Sequence, residues 1–197
     1  MIIFLRHGQA ENNTKKILAG RTPGINLTEQ GREQAEQAGE MIKSLNISAI
    51  YSSPIDRAMQ TAEIVGKHCD VKPISDDRLI ELDMGKFTMV SYDEIFKKHG
   101  NVFLKFYEGS LEISHNGVES FSEVQKRVFD IVDFVKNNHK GENVVLVTHM
   151  DPIKAMIGKV LSLKSEILFQ LIVANASLNI FKYDDQNFYL SSINSMN

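Results

Sequence analysis

Two short apolar runs in this chain each end on a histidine. Ile2-Ile3-Phe4-Leu5 stops at Arg6-His7-Gly8, and Val144-Val145-Leu146-Val147 stops at Thr148-His149. Neither run alternates apolar and polar residues, so each reads as a strand buried on both faces of a parallel sheet. Ligands of open α/β sheets bind in the crevice outside the carboxyl ends of the strands. If these two strands are neighbours, both imidazoles face one such crevice. Arg6 adds a planar fork of donors suited to phosphate. An imidazole is the side chain most easily tuned to act as nucleophile or proton carrier near neutral pH. Gly8 would let backbone N–H groups approach an anion closely. The plainer alternative for Arg6-His7-Gly8 is a surface turn carrying one solvated arginine and one histidine.

Two further positions extend the chemistry. Ser52-Ser53-Pro54 precedes a helix that runs to about Lys67, with Arg57 in its first turn. N–H groups at a helix start already favour anions, so an arginine there is poorly placed for the dipole and well placed for an anion partner. Its alternative is a surface ion pair with Asp56 or Glu63. Glu81 lies between Leu79, Ile80 and Leu82. Partial desolvation would raise its pKa toward the range useful to a proton donor. Asp83 is the competing carboxylate and reads as solvated or structural. Two histidines and a carboxylate could also ligate a metal, but the arginines beside them oppose a cation.

The elements that must position these residues can be read along the chain. With 197 residues and a net charge of −3, composition fits one soluble domain without a nucleic-acid footprint. The single cysteine, Cys69, suits a reducing compartment, and the opening apolar run is too short for a signal peptide or membrane span. A cytoplasmic location is therefore expected. Thr14 to Asn26 is a basic loop punctuated by Gly20, Pro23 and Gly24. Helices are predicted over 29–45 with Thr28 as N-cap, from Ser91 to about Lys98, and over 120–138 behind a capping box at Ser120 and Glu123. A further helix runs from Met150 to about Val160. Strands are predicted over 48–51 and 71–74, with a hairpin of strands at 176–183 and 188–193 and a frayed tail over 194–197. Residues 101–117 hold Phe103, Phe106, Tyr107 and Leu111 without a clean period.

The ordered blocks resemble the histidine phosphatase superfamily, also called the phosphoglycerate mutase-like family. Arg6-His7-Gly8 with Asn13 resembles its opening signature, although Ala10 stands where Thr is usual. Gly20-Arg21-Thr22 with Leu27-Thr28-Glu29-Gln30-Gly31 is similar to its substrate-bordering loop. Ser52-Ser53-Pro54-x-x-Arg57-Ala58-x-Gln60-Thr61-Ala62 nearly reproduces its second block, and Thr148-His149 its last. Together the blocks cover residue 2 to about residue 160.

The resemblance implies an α/β fold: three αβα layers around a central, mostly parallel sheet, with the C-terminal hairpin appended. One domain would span 1–197, with a lid-like excursion around 86–117. It implies catalytic roles for His7, Glu81 and His149, with His7 forming a phosphohistidine and Glu81 donating the proton. Arg6, Asn13 and Arg57 would bind phosphate, with His149 protonated beside them. Gly20, Arg21 and Met150 would form the substrate rim, Met150 being larger than the family's usual Gly or Ala. Met89 stands where the family has a small Gly. No metal and no cofactor are required.

Within the family, mutases hold a substrate carboxylate with extra arginines in the middle excursion, yet no arginine lies between Arg78 and Arg127 here. The expected activity is therefore a phosphomonoester phosphatase acting on a small phosphorylated metabolite. The alternatives are a 2,3-bisphosphoglycerate-dependent phosphoglycerate mutase and, more remotely, a non-catalytic phosphate-binding module. No nucleic-acid or membrane partner is expected, and the sequence leaves room for a homodimer.

Overall fold

The computed structural model describes residues 1–196; Asn197, last of the expected frayed tail, lies outside the described residues. In chain order the elements are β1 (Ile2–Arg6), α1 (Glu11–Thr14), α2 (Glu29–Ile42), β2 (Ile47–Ser52), α3 (Asp56–Cys69) and β3 (Ile74–Ser75). There follow α4 (Tyr92–His99), α5 (Val102–Tyr107), α6 (Leu111–Ser114), α7 (Phe121–Asn138), β4 (Asn143–Thr148), α8 (Met150–Val160), α9 (Ser165–Gln170), β5 (Leu178–Tyr183) and β6 (Phe188–Ser195).

The strands form one mixed sheet in the order β3-β2-β4-β1-β5-β6. The β1–β4, β2–β4 and β2–β3 pairs are parallel, and β5 and β6 are added antiparallel beside β1. The fold is thus α/β, with helices on both faces of the sheet. On one face Phe4, Leu146 and Phe181 pack with Val124, Val128, Ile131 and Val135 of α7 and with α8. On the other, Ile3, Leu5, Val145 and Val147 pack against Ala38 and Ile42 of α2 and Ala58, Ala62 and Val65 of α3. Burial on both faces is why the central strands show no alternation.

The register matters most for function. Leu5 pairs with Val147 and Arg6 with Thr148, and the His7 N–H donates to Thr148 O at 3.0 Å. Two strands far apart in sequence therefore release their histidines at the same level.

Several boundaries differ from the sequence reading. Helix α2 stops at Ile42 and tightens into a 3-10 turn over Lys43–Leu45. The strand expected over 71–74 shrinks to Ile74–Ser75, and the expected frayed tail instead supplies Asn194 and Ser195 to β6. The unassigned stretch after Gly100 folds as α5 and α6. At six and four residues these helices are too short to display a period. Helix α5 is held by Asn101 capping Leu104 N–H at 3.0 Å and by edge-to-face contacts of Phe106 and Tyr107 with Phe121 at 5.4 and 5.2 Å. The loop around Met89 keeps a left-handed backbone, with φ of 64° and its N–H donated to Leu18 O at 2.7 Å. Among the described residues no helix is long and apolar enough to cross a membrane.

Candidate active site

A cleft at the carboxyl ends of β1 and β4 is lined by Arg6, His7, Asn13, Gly20, Arg57 and Glu81, together with Met84, Tyr92, Met150 and Asp151. His7 is 3% exposed at its base. Its Nδ1 lies 2.7 Å from the carbonyl of Gly8. A carbonyl can only accept, so Nδ1 carries the hydrogen and Nε2 keeps its lone pair. That lone pair faces Arg57, whose Nε–H donates to it at 3.2 Å. Burial, then the positive charges of Arg57 and Arg6, hold the His7 pKa well below its ordinary value. His7 is therefore a neutral imidazole with its nucleophilic nitrogen turned to the arginines.

The His149 ring lies 5.1 Å from that of His7, centroid to centroid. His149 precedes α8 and is fully buried. Its Nε2 is 2.8 Å from Ser53 Oγ, which itself accepts the Ile55 N–H at 3.3 Å. Its Nδ1 is buried without a hydrogen-bond partner. Burial, followed by the charge of Arg57, depresses the pKa of His149 as well. In the resting site His149 is thus a neutral imidazole, because burial and two guanidinium groups disfavour a third cation; the imidazolium expected beside a phosphoryl group belongs to a different state.

Arg57 does not form the surface ion pair weighed for it. It is 2% exposed, and its Nη2 donates to Gly20 O at 2.8 Å; Asp56 turns away to accept the Gly24 N–H at 2.6 Å. Arg6 donates from Nη1 to Val173 O at 2.5 Å. Arg6 Nε and Arg57 Nη1 are buried and unpartnered. Asn13 spends its oxygen on the Ala10 N–H at 2.9 Å, so its amide NH2 is the end left to donate. Unpaired buried donors are expensive unless a ligand meets them. Their residues line one cleft with His7, an arrangement suited to a small polyanion.

Glu81 sits between two 3-10 turns, Asp77–Leu79 and Gly85–Phe87. Its pKa is raised to about 7, first by burial and then by the charge of Asp151. The Leu82 N–H, donated to Glu81 Oε1 at 2.8 Å, and the two arginines oppose that rise without cancelling it. The apolar neighbours pointed to the first cause. Nothing in the sequence pointed to Asp151, which lies seventy residues away in α8 and accepts a 2.6 Å hydrogen bond from Tyr107.

Two expectations are corrected. Arg21 does not stand on the substrate rim: its Nε donates to Glu81 O at 2.8 Å and its Nη2 to Glu119 at 2.9 Å. The Gly8 N–H does not face an anion, being donated to Thr61 Oγ1 at 3.0 Å. The missing side chain matters elsewhere, since a Cβ on Gly8 would fall 2.2 Å from Gly31 O at the start of α2. Gly20 and Met150 do line the cleft. Sequence reading assigned no role to Ser53 behind His149, to Thr61 behind Gly8, or to Asn175, whose Nδ2 donates to His7 O at 3.1 Å. The first two lie inside the second motif block, which was a usable signal; Asn175 carried none. Among the described residues no group of three or more His, Cys, Asp or Glu side chains is arranged to hold a metal ion.

Comparison with known proteins finds relatives along nearly the whole chain. A family model described as the histidine phosphatase superfamily (branch 1) matches residues 2–196. A 2,3-bisphosphoglycerate-dependent phosphoglycerate mutase of Thermoplasma acidophilum is 35% identical over 180 residues, covering 90% of this chain and 84% of its own. Phosphoserine phosphatase 1 of Hydrogenobacter thermophilus is 26% identical, with 98% of this chain and 91% of that protein covered. Among solved structures, a mycobacterial glucosyl-3-phosphoglycerate phosphatase in complex with VO3 superposes with a TM-score of 0.88 at 27% identity, covering 98% of both chains.

Proposed function

Since this chain belongs to the histidine phosphatase superfamily, it is a phosphoryl-transfer enzyme, and we propose that the transfer ends on water, as a phosphomonoester phosphatase for small phosphorylated metabolites. The observation that carries this reading is a cleft lined by His7, Arg6 and Arg57, in which the Arg57 Nε–H meets the lone pair of His7 while Arg6 Nε and Arg57 Nη1 are buried without a partner. In the proposed reaction His7 Nε2 attacks phosphorus in line with the leaving oxygen. The phosphoryl oxygens take over the Arg57 Nε–H that now rests on His7. The P–O bond breaks as Glu81 delivers its proton to the departing alkoxide, and the His7 Nδ1–H stays on Gly8 O. Water then attacks the phosphohistidine, the Glu81 carboxylate takes its proton, the N–P bond breaks and inorganic phosphate leaves. His7 and Glu81 return to their starting protonation. Arg6, Arg57, Asn13 and His149 stabilise the charge spread over the equatorial oxygens, where fixed donors are most effective. Cationic guanidinium groups occupy the place a metal ion would take, so the reading is metal-independent.

The Thermoplasma relative favours a second reading, a phosphoglycerate mutase. The cleft argues for the hydrolase. Among the described residues lining it the cations are Arg6 and Arg57, both beside His7, while the outer wall offers Tyr92, Met84, Met150 and the acidic Asp151. A substrate carboxylate would find no bidentate partner there. Incubation with 3-phosphoglycerate and a trace of the 2,3-bisphosphate separates the two: release of inorganic phosphate is expected, and equilibration with 2-phosphoglycerate would overturn the hydrolase reading. On a generic aryl phosphate, His7→Ala is expected to lower turnover by at least about 10³-fold and to abolish covalent labelling by radioactive phosphate.

A further inference from the structure

Glu81 belongs to no helix or strand, yet its segment is held by an unusual kind of support. Four consecutive carbonyl groups each accept a hydrogen bond from a distant side chain. Arg78 O and Ile80 O accept from Arg127 Nη1 at 3.0 and 2.5 Å. Leu79 O accepts from Thr148 Oγ1 at 2.6 Å, and Glu81 O from Arg21 Nε at 2.8 Å.

One carboxylate organises the two arginines. Glu119 receives Arg127 in a fork, Nε on Oε1 at 2.9 Å and Nη2 on Oε2 at 3.1 Å, and receives Arg21 Nη2 on Oε2 at 2.9 Å. Its backbone N–H also donates to Asp83 O at 2.9 Å, on the far side of Glu81. The Arg127 and Glu119 side chains are 15% and 14% exposed, so the paired forks are shielded from the solvent that weakens surface ion pairs.

We propose that Glu119, with Arg127 and Arg21, is the positioning network of the proton donor, setting where the Glu81 carboxyl meets the leaving oxygen without touching substrate. This rests on the reading of Glu81 as that donor. A misplacement of the order of 1 Å can lower turnover about 10²-fold, and the loss should fall where protonation of the leaving group is most needed.

The test compares kcat/KM, which reports the step that expels the leaving group, on an alkyl phosphate, whose alkoxide must be protonated, and on the phosphate of an acidic nitrophenol, whose anion leaves unaided. Glu119→Gln is expected to reduce kcat/KM on the alkyl ester about tenfold or more, with kcat/KM on the aryl ester within about threefold, while any slowing of phosphohistidine hydrolysis lowers kcat alike on both. Equal losses of kcat/KM on both esters, or no loss on either, would overturn the proposal. Should Glu119→Gln fail to fold, Arg127→Lys carries the same comparison, since an ammonium group cannot make the fork to Glu119 and bond Arg78 O and Ile80 O together. Glu81→Gln run alongside separates the two levels. If it lacks leaving-group selectivity, the donor assignment falls and the positioning role with it. A selective Glu81→Gln beside a non-selective Glu119→Gln overturns the positioning role alone.

Discussion

The histidines and the acid reach the same cleft on opposite kinds of support. His7 and His149 stand at the ends of two paired strands, where the β1–β4 ladder and the Thr148 carbonyl set their level through backbone bonds. Glu81 stands on a segment outside any helix or strand, and side chains of α7, β4 and the loop before α2 hold its carbonyls one by one. A strand end is fixed by many mutually reinforcing bonds between groups every residue possesses. A clamped loop depends on a few named side chains, each of which can be changed alone. His7 is thereby placed by paired backbone, and Glu81 by side chains that can be replaced one at a time. Thr148 joins the two supports: its carbonyl accepts the His7 N–H and its hydroxyl holds Leu79.

The contrast predicts a graded series of effects. Glu81→Gln removes the proposed donor from an intact frame, and kcat on an alkyl phosphate should fall about 10²- to 10³-fold. The same substitution should show its burial in stability. With its folded pKa raised to about 7 from an ordinary 4.5, the native state binds that proton more tightly than the unfolded chain. The associated stability is complete below the unfolded value and is lost as pH rises through about 7. Relative to wild type, Glu81→Gln should therefore gain roughly 1–3 kcal/mol at pH 8, read as a higher Tm, with the gain shrinking toward pH 5. A Tm difference independent of pH would show that Glu81 is not held protonated by the fold.

Thr148→Val keeps the strand shape but removes the hydroxyl from Leu79 O. It should cost about 1–2 kcal/mol in urea unfolding and slow alkyl phosphate turnover several-fold. If histidines and acid were supported independently, only stability would change. The smallest effect concerns the excursion. Met89 holds a left-handed backbone and is half exposed, so Met89→Gly should be neutral or stabilising by about 0.5 kcal/mol. A loss above about 1 kcal/mol would mean that its side chain contributes packing beyond the loop path.

How much of this could be read from residue order follows the same division. The strand runs and the helix starts at Thr28, Ser91 and Ser120 were legible because each is a local pattern of residue type and spacing. The residues that converge on the cleft were legible because they recur in ordered motif blocks. The short helices α5 and α6 were not, having too few residues for a period. Arg21 was misplaced because a basic residue in a glycine-rich loop looks the same whether it faces an anion or braces a neighbouring carbonyl. Asp151 was missed because its partners, Tyr107 and Glu81, come from other parts of the chain.

Sequence by itself determined that two buried strands end in histidines, that helices cover both faces of their sheet, and that an acid sits among leucines. These follow from side-chain type acting over a few residues. Tertiary structure alone decided the charges that keep both buried imidazoles neutral, the turn of Arg57 onto His7, and the choice of Arg21 as a brace. Each of these depends on which charges and carbonyls, separated by about fifty residues or more, arrive within hydrogen-bond reach. Electrostatics and hydrogen bonding act over a few ångströms of space, whatever the distance along the chain.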